Sequence, residues 1–240
     1  MSNTYFQFKQ LIIHQDQCAM KVSTDSCLFG AWLTKTIIPT LPDINQVLDI
    51  GAGSGLLMLM LAQEYDFFIE GIEIDSSAFQ QAFSNITRSD WKDRLNVCQG
   101  DVRQHTFKDK YDLIISNPPF YEMDLRPTVA SKAAAMHDTT LRFEELLAVI
   151  ELNLKPDGYF ALLIPFHRFD YLKELFISKG FFLHKVVHVQ HREDHAFIRS
   201  MVLLSKKPAE TSIESMTIKE KDGSYTSDFK QLLREYYLYL

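Results

Sequence analysis

Residues 46–62 read QVLDIGAGSGLLMLMLA. A short apolar run ends at Asp49 and Ile50, glycines occupy positions 51, 53 and 55, and an apolar helical run starts at once. Glycine lets a chain turn sharply and lets backbone amides approach a ligand at a helix N-terminus. The order is G-x-G-x-G, whereas the dinucleotide fingerprint reads G-x-G-x-x-G. A pyrophosphate is therefore the less favoured guest of this turn.

Outward from that turn, apolar runs alternate with helical patterns: FFIEGIEI, SSAFQQAFSNITRS, LNVCQGD, YDLIIS, FEELLAVIELNL and YFALLIP, the last at 159–165. Such alternation is the signature of a parallel sheet with helices on both faces. A further helix is expected around 168–179. FFLHKVVHVQ and AFIRSMVLLSKK, joined by the polar HREDH, then read as an antiparallel hairpin finishing the sheet. The expected fold is thus α/β, doubly wound and Rossmann-like, with a mostly parallel seven-stranded sheet and a C-terminal antiparallel hairpin. Residues 1–45 form a small N-terminal cap, in which TDSCLFGAWL opens a helix at Thr24 or Asp25. The domain proper is 46–207, and 208–240 is an extension packed on it. That extension opens on a polar, turn-rich stretch at 207–224 and closes on a helical pattern.

Three acids stand at successive strand exits. Asp49 precedes the glycine turn, and Glu73 lies at the end of the second strand, where doubly wound folds accept ribose hydroxyls. Asp101 follows the third strand, beside Val102, where an adenine amine can be accepted. Each alone is more often a helix cap or a solvated loop residue; three at successive strand exits form a constellation that outlines a nucleoside site. The fourth strand, YDLIIS, runs into SNPPFY at 116–121. Two prolines lack amide hydrogens and fix their backbone angles, so they hold a rigid corner at the strand exit.

NPPF at 117–120 resembles the N-P-P-[FYW] motif of class I S-adenosylmethionine-dependent methyltransferases that modify planar nitrogens. FQFKQLIIHQDQCAMKVSTDSCLFGAW at 6–32 and YTSDFKQLLREYYLYL at 225–240 resemble the bacterial family that methylates the exocyclic N6 of adenine 37 beside the anticodon of valine tRNA. The resemblance spans essentially the whole chain. It departs at Ser26, where the family usually shows glycine, and at Met136, where arginine is expected. It implies S-adenosylmethionine as cofactor, held by Lys21, Thr24, Asp49, Gly51, Gly53, Gly55, Glu73, Asp101, Val102 and Asn117. It also implies catalysis by Asn117, Pro118 and Phe120. The Asn117 side-chain oxygen and the Pro118 carbonyl would each accept an amine hydrogen, steering the nitrogen lone pair toward the methyl group. Phe120 would stack on the extruded base, with Pro119 and Tyr121 beside it.

Net charge is −6, yet residues 165–207 carry eight Lys or Arg against four Asp or Glu, together with five of the eight histidines. Lys185, Arg192 and Arg199 in this segment are the expected tRNA backbone contacts. His188, His191 and His195 need not converge, and no metal is expected. Three widely spaced cysteines offer no disulfide framework. No apolar run approaches the ~20 residues of a membrane span and no signal peptide is evident, so the cytoplasm is expected. Two rivals remain open: a protein glutamine-amide N-methyltransferase, and a non-catalytic cofactor-binding interaction module.

Overall fold

The computed structural model describes residues 3–118 and 141–240. The expectations placed on Pro119, Phe120, Tyr121 and Met136 therefore lie outside the described residues.

Two short strands, β1 (Tyr5–Gln7) and β2 (Ile12–His14), pair antiparallel ahead of the main sheet. The main sheet comprises β3 (Gln46–Ile50), β4 (Phe68–Glu73), β5 (Leu95–Gln99), β6 (Tyr111–Ser116), β7 (Leu154–Pro165), β8 (Phe182–Arg192), β9 (Phe197–Ser205) and β10 (Ser212–Lys219). Their order is β10-β8-β9-β7-β6-β3-β4-β5. Only β9 runs antiparallel to its neighbours, β7 and β8.

Side chains on successive residues of these strands enter opposite cores, as a two-unit repeat demands. Val47, Leu113, Ile115 and Ala161 join one apolar cluster, while Leu48, Ile114, Phe160 and Leu162 join the other. The first cluster packs under α1 (Thr24–Trp32), α2 (Leu56–Glu64) and α3 (Ser76–Thr87), and the second under α4 (Phe143–Asn153) and α5 (Phe169–Ser178). Every residue of α2 from Leu56 to Ala62 is buried, which explains why its sequence is apolar all round. At Gly30 of α1 an added Cβ would come within 2.6 Å of the Met60 sulfur, so the absent side chain permits the close crossing of α1 over α2.

The chain termini enter the first cluster as well. Phe8, Ile13, Phe229 and Tyr236 are buried in it, the latter two on or just beyond α6 (Ser227–Leu233). Burying a side chain of that size contributes roughly 1.5–3 kcal/mol, so these segments add substantially to the core.

The described sheet has eight strands, one more than expected. Residues 207–224 were expected to be turn-rich, but Ser212–Lys219 forms β10, parallel to β8 at the sheet's edge, and the hairpin is not the last element. An edge strand has one partner and a solvated face, so it needs few apolar residues. Ile213 is exposed while Ile218 is buried, a pattern too sparse to register as a period. The strand that YFALLIP announces starts earlier, at Leu154, and pairs with β6 across an irregularity between Tyr111 and Leu113.

Candidate active site

In the sheet order β3 leads to β4 and β5 on one side and to β6 and β7 on the other. Loops leaving the C-terminal ends of β3 and β6 therefore diverge, which opens a crevice at the point where open α/β sheets bind ligands. A cleft of about 420 Å³ lies there, within the range of about 300–1,000 Å³ typical of small-molecule sites. Ile50, Ile72 and Val102 supply apolar lining; Gly51, Gly53, Glu73, Asp101, Ser116, Asn117 and Pro118 supply backbone or polar lining.

Gly51 and Gly53 have φ of +78° and +57°, the left-handed region that side chains resist. A Cβ on Gly51 would meet no atom of the described residues within 4 Å, so this face of the turn is open to the cleft. The Gly51 and Ala52 amides donate to the Ile72 carbonyl at 2.9 and 3.2 Å, and the Gly53 amide donates to Glu73 Oε2 at 2.8 Å. Gly55 has a different job. It begins α2 at φ +80°, facing Ala82 of α3, and does not line the cleft.

Asp49 is buried beneath the turn, and among the described residues neither carboxylate oxygen has a hydrogen-bond partner. Burial, reinforced by the nearby Glu73, pushes its carboxyl from an ordinary 3.8 up to about 8. Glu73 accepts from the Gly53 and Asp75 amides, the latter at 2.9 Å. Asp101 is grasped by Arg103, whose Nε and Nη2 donate at 2.9 and 2.6 Å; those bonds hold its carboxyl below the usual range. Arg103 was not anticipated, although its place two residues after Asp101 suits such a local clasp.

At the exit of β6, the Ser116 hydroxyl donates to the Ile50 carbonyl at 2.6 Å, tying β6 to the glycine turn. Asn117 follows, and its Nδ2 donates to Ser26 Oγ in α1 at 3.0 Å. The N-terminal wall of the cleft is Cys18, Ala19 and Met20, which lie inside the 6–32 stretch that carries the resemblance but were not among the expected site residues. Lys21 and Thr24, expected at the cofactor, are turned to other contacts: Lys21 Nζ donates to the Gln15 carbonyl, and Thr24 meets the Tyr237 phenol.

The donor set fits S-adenosylmethionine. An apolar slot flanked by Asp101 and Val102 suits an adenine, Glu73 at the end of β4 suits a ribose, and the orphaned Asp49 carboxyl beneath an open glycine turn suits a cationic ligand.

The three expected RNA-facing cations each have an acidic neighbour. Lys185 pairs with Glu214 at 2.6 Å, Arg192 with Asp194 at 3.2 Å, and Arg199 with Asp25 at 3.1 Å. Arg199 lies opposite Pro165, at the C-terminal end of β7, and Arg192 ends β8, so both sit on the cleft's edge of the sheet. Lys185 lies further down β8, opposite Leu203. His188 bonds Ser200, while His191 stacks on His195. Among the described residues one group of potential metal donors occurs elsewhere: Glu70, Cys98 and His105 have donor atoms within 4.8 Å of one another, and Tyr111 donates to Glu70. None of the three lines the cleft.

Residues 30–160 match the Methyltransferase small domain family. A Dyadobacter fermentans protein named tRNA1(Val) (adenine(37)-N6)-methyltransferase is 38% identical, with 98% of each chain aligned. A Christiangramia forsetii protein of the same name is 36% identical over 100% of both. Among solved structures, a predicted O-methyltransferase of Agrobacterium tumefaciens superposes with a TM-score of 0.66 at 14% identity, covering 88% of this chain and 96% of that one. The glycopeptide N-methyltransferase MtfA complexed with S-adenosylmethionine superposes with a TM-score of 0.55 at 12% identity, covering 74% and 94%. At such identities these two likenesses establish the fold.

Proposed function

Because this chain belongs to the tRNA1(Val) (adenine(37)-N6)-methyltransferase family, we propose that it methylates the exocyclic N6 of adenine 37 in valine tRNA, with Asn117 and Pro118 at the reacting amine. The activity itself is that of an S-adenosylmethionine-dependent tRNA adenine N6-methyltransferase. S-adenosylmethionine supplies a methyl group on a positively charged sulfur, already a strong electrophile.

The protein's own task is the nucleophile. The N6 lone pair is delocalised into the purine, so it attacks poorly until its two hydrogens are drawn out of the ring plane. Two acceptors suffice: Asn117 Oδ1 and the Pro118 carbonyl, whose position the proline ring stiffens. One observation carries this reading: Asn117 lines the same cleft as Gly51, Glu73 and Asp101, with its amide nitrogen already committed to Ser26. Among the described residues nothing donates to its Oδ1. Phe120, from the motif alone, is assigned the stacking of the extruded base, beside Pro119 and Tyr121.

The remaining assignments belong to the same proposal. Asp49, Gly51, Gly53, Glu73, Asp101 and Val102 hold the cofactor, and Arg192 and Arg199 meet tRNA phosphates at the rim. Residues 46–207 carry the catalytic machinery, 1–45 pack on them, and 208–240 adds the sheet's edge strand β10 and the helix α6. Among the described residues no helix is long and apolar enough to cross a membrane, and we assign the enzyme to the cytoplasm, where tRNA is matured.

The test is to incubate the protein with labelled S-adenosylmethionine and unmodified total tRNA and to map the labelled nucleoside. N6-methyladenosine at position 37 of valine tRNA is the expected product. Label on protein would instead favour glutamine-amide methylation, and label at another tRNA would overturn the substrate assignment.

A further inference from the structure

We propose that Ser26, on the first turn of α1, is a positioning residue for Asn117: its hydroxyl fixes the amide so that the oxygen, not the nitrogen, faces the substrate amine. The inference rests on the function proposed above.

An asparagine amide presents an acceptor on one side and two donors on the other. A target amine brings hydrogens of its own, so only the acceptor side can engage it; the reverse rotamer would set donor against donor. Rotating the amide by half a turn changes little in its shape, so packing alone selects the orientation weakly. A hydroxyl partner selects it once its own proton is committed elsewhere. Ser26 Oγ lies 3.0 Å from Asn117 Nδ2 and 2.9 Å from Ser23 Oγ. The amide nitrogen has only hydrogens to give, so Ser26 Oγ accepts there; in this proposal its own proton goes to Ser23 Oγ, 2.9 Å away, and not back to Asn117. Ser23 also caps α1, accepting from the Ser26 amide at 3.2 Å.

The platform beneath Ser26 is rigid. Its preceding neighbour Asp25 pairs with Arg199 of β9 at 3.1 Å, and its following neighbour Cys27 is fully buried. Further along the helix, Gly30 lets α1 sit tightly on α2. Ser26 itself is 9% exposed. A hydroxyl held from both sides at that depth has little freedom to reorient, which is what preorganisation of a catalytic oxygen demands. The contact joins residues 91 apart in sequence, so through it the N-terminal segment reaches the proposed catalytic side chain directly.

The experiment compares single-turnover methylation of tRNA by the wild type, Ser26→Ala and Ser26→Cys, each alone and combined with Asn117→Ala. Cysteine fills the space of serine but bonds weakly, so it separates packing from hydrogen bonding and serves if the alanine variant folds poorly. Both single variants are expected to lose about tenfold in rate, the scale of one catalytically oriented hydrogen bond, with cofactor affinity and Tm near wild type. Neither should slow the Asn117→Ala enzyme further. A Ser26→Cys enzyme at wild-type rate, or an equal further loss on the Asn117→Ala background, would overturn the proposal while leaving the function standing. A wild type that methylates no tRNA would overturn both.

Discussion

Gly53 donates its backbone amide to the Glu73 carboxylate at 2.8 Å, so the tip of the glycine turn hangs from the end of the neighbouring strand. Glu73 also holds the Asp75 amide at 2.9 Å. One carboxylate thus sets the shape of the turn and, in the proposed site, would also hold a ribose, and the two duties have consequences that substitution separates.

Glu73→Ala is expected to weaken S-adenosylmethionine binding by about 1–3 kcal/mol through lost charge-assisted bonds, and to lower Tm because two backbone amides lose their acceptor. Glu73→Gln keeps one carbonyl acceptor and should fall between. Titration calorimetry and a melting scan read the two effects, and an alanine variant with wild-type affinity would remove Glu73 from the cofactor site.

Asp49 makes the unliganded protein sensitive to pH. Its carboxyl is raised to about 8 by burial and by Glu73, so the folded state keeps a proton that the unfolded chain releases near the ordinary 3.8. The stability tied to that proton is fully present below the lower value and is lost as pH rises between the two, by at most about 1.4 kcal/mol per pH unit. Asp49→Asn should therefore raise Tm of the cofactor-free protein at pH 8 relative to wild type, and weaken cofactor binding because the potential negative charge is gone. Lower Tm in the variant at pH 8, or unaltered affinity, would contradict this role.

Asn117→Ala is expected to cut turnover by about 10²–10³ with cofactor affinity near normal, the usual effect of removing a catalytic hydrogen-bonding group. Phe120→Ala should cost about 1–3 kcal/mol of base stacking, read as a raised KM for tRNA. A folded Asn117→Ala enzyme with wild-type turnover would leave the proposed mechanism without its centre.

Replacing Arg192 and Arg199 together by alanine should weaken tRNA binding at low salt and flatten its salt dependence, because two phosphate contacts fewer release fewer counterions. Their acidic neighbours, Asp194 and Asp25, make each cation share its charge, so the loss should be smaller than for unpaired arginines. A filter-binding series across salt concentrations measures the slope; an unchanged slope would remove these residues from the interface.

Much of this protein was legible in its residues. The strand, glycine turn and helix of 46–62, the alternation that follows, the acids at the strand exits and Asn117 just past β6 are all local patterns, and local patterns follow from backbone geometry over a few residues. The antiparallel pairing of β8 and β9 was legible for the same reason, since five polar residues join two apolar runs. What remained hidden depends on distance across the fold. The edge strand β10 carries too few apolar residues to show a period, because half of its neighbours are water. Cys18, Ala19 and Met20 form a wall of the cleft only because the segment after β2 passes over it. The +4 charge of 165–207 looked free along the chain, yet Glu214 and Asp25, from outside that segment, come to Lys185 and Arg199. Ser26 bonds Asn117 across 91 residues. Periodicity and spacing encode which elements form and what their ends carry. The partners that orient those ends are chosen by packing, which brings together side chains that the chain itself keeps far apart.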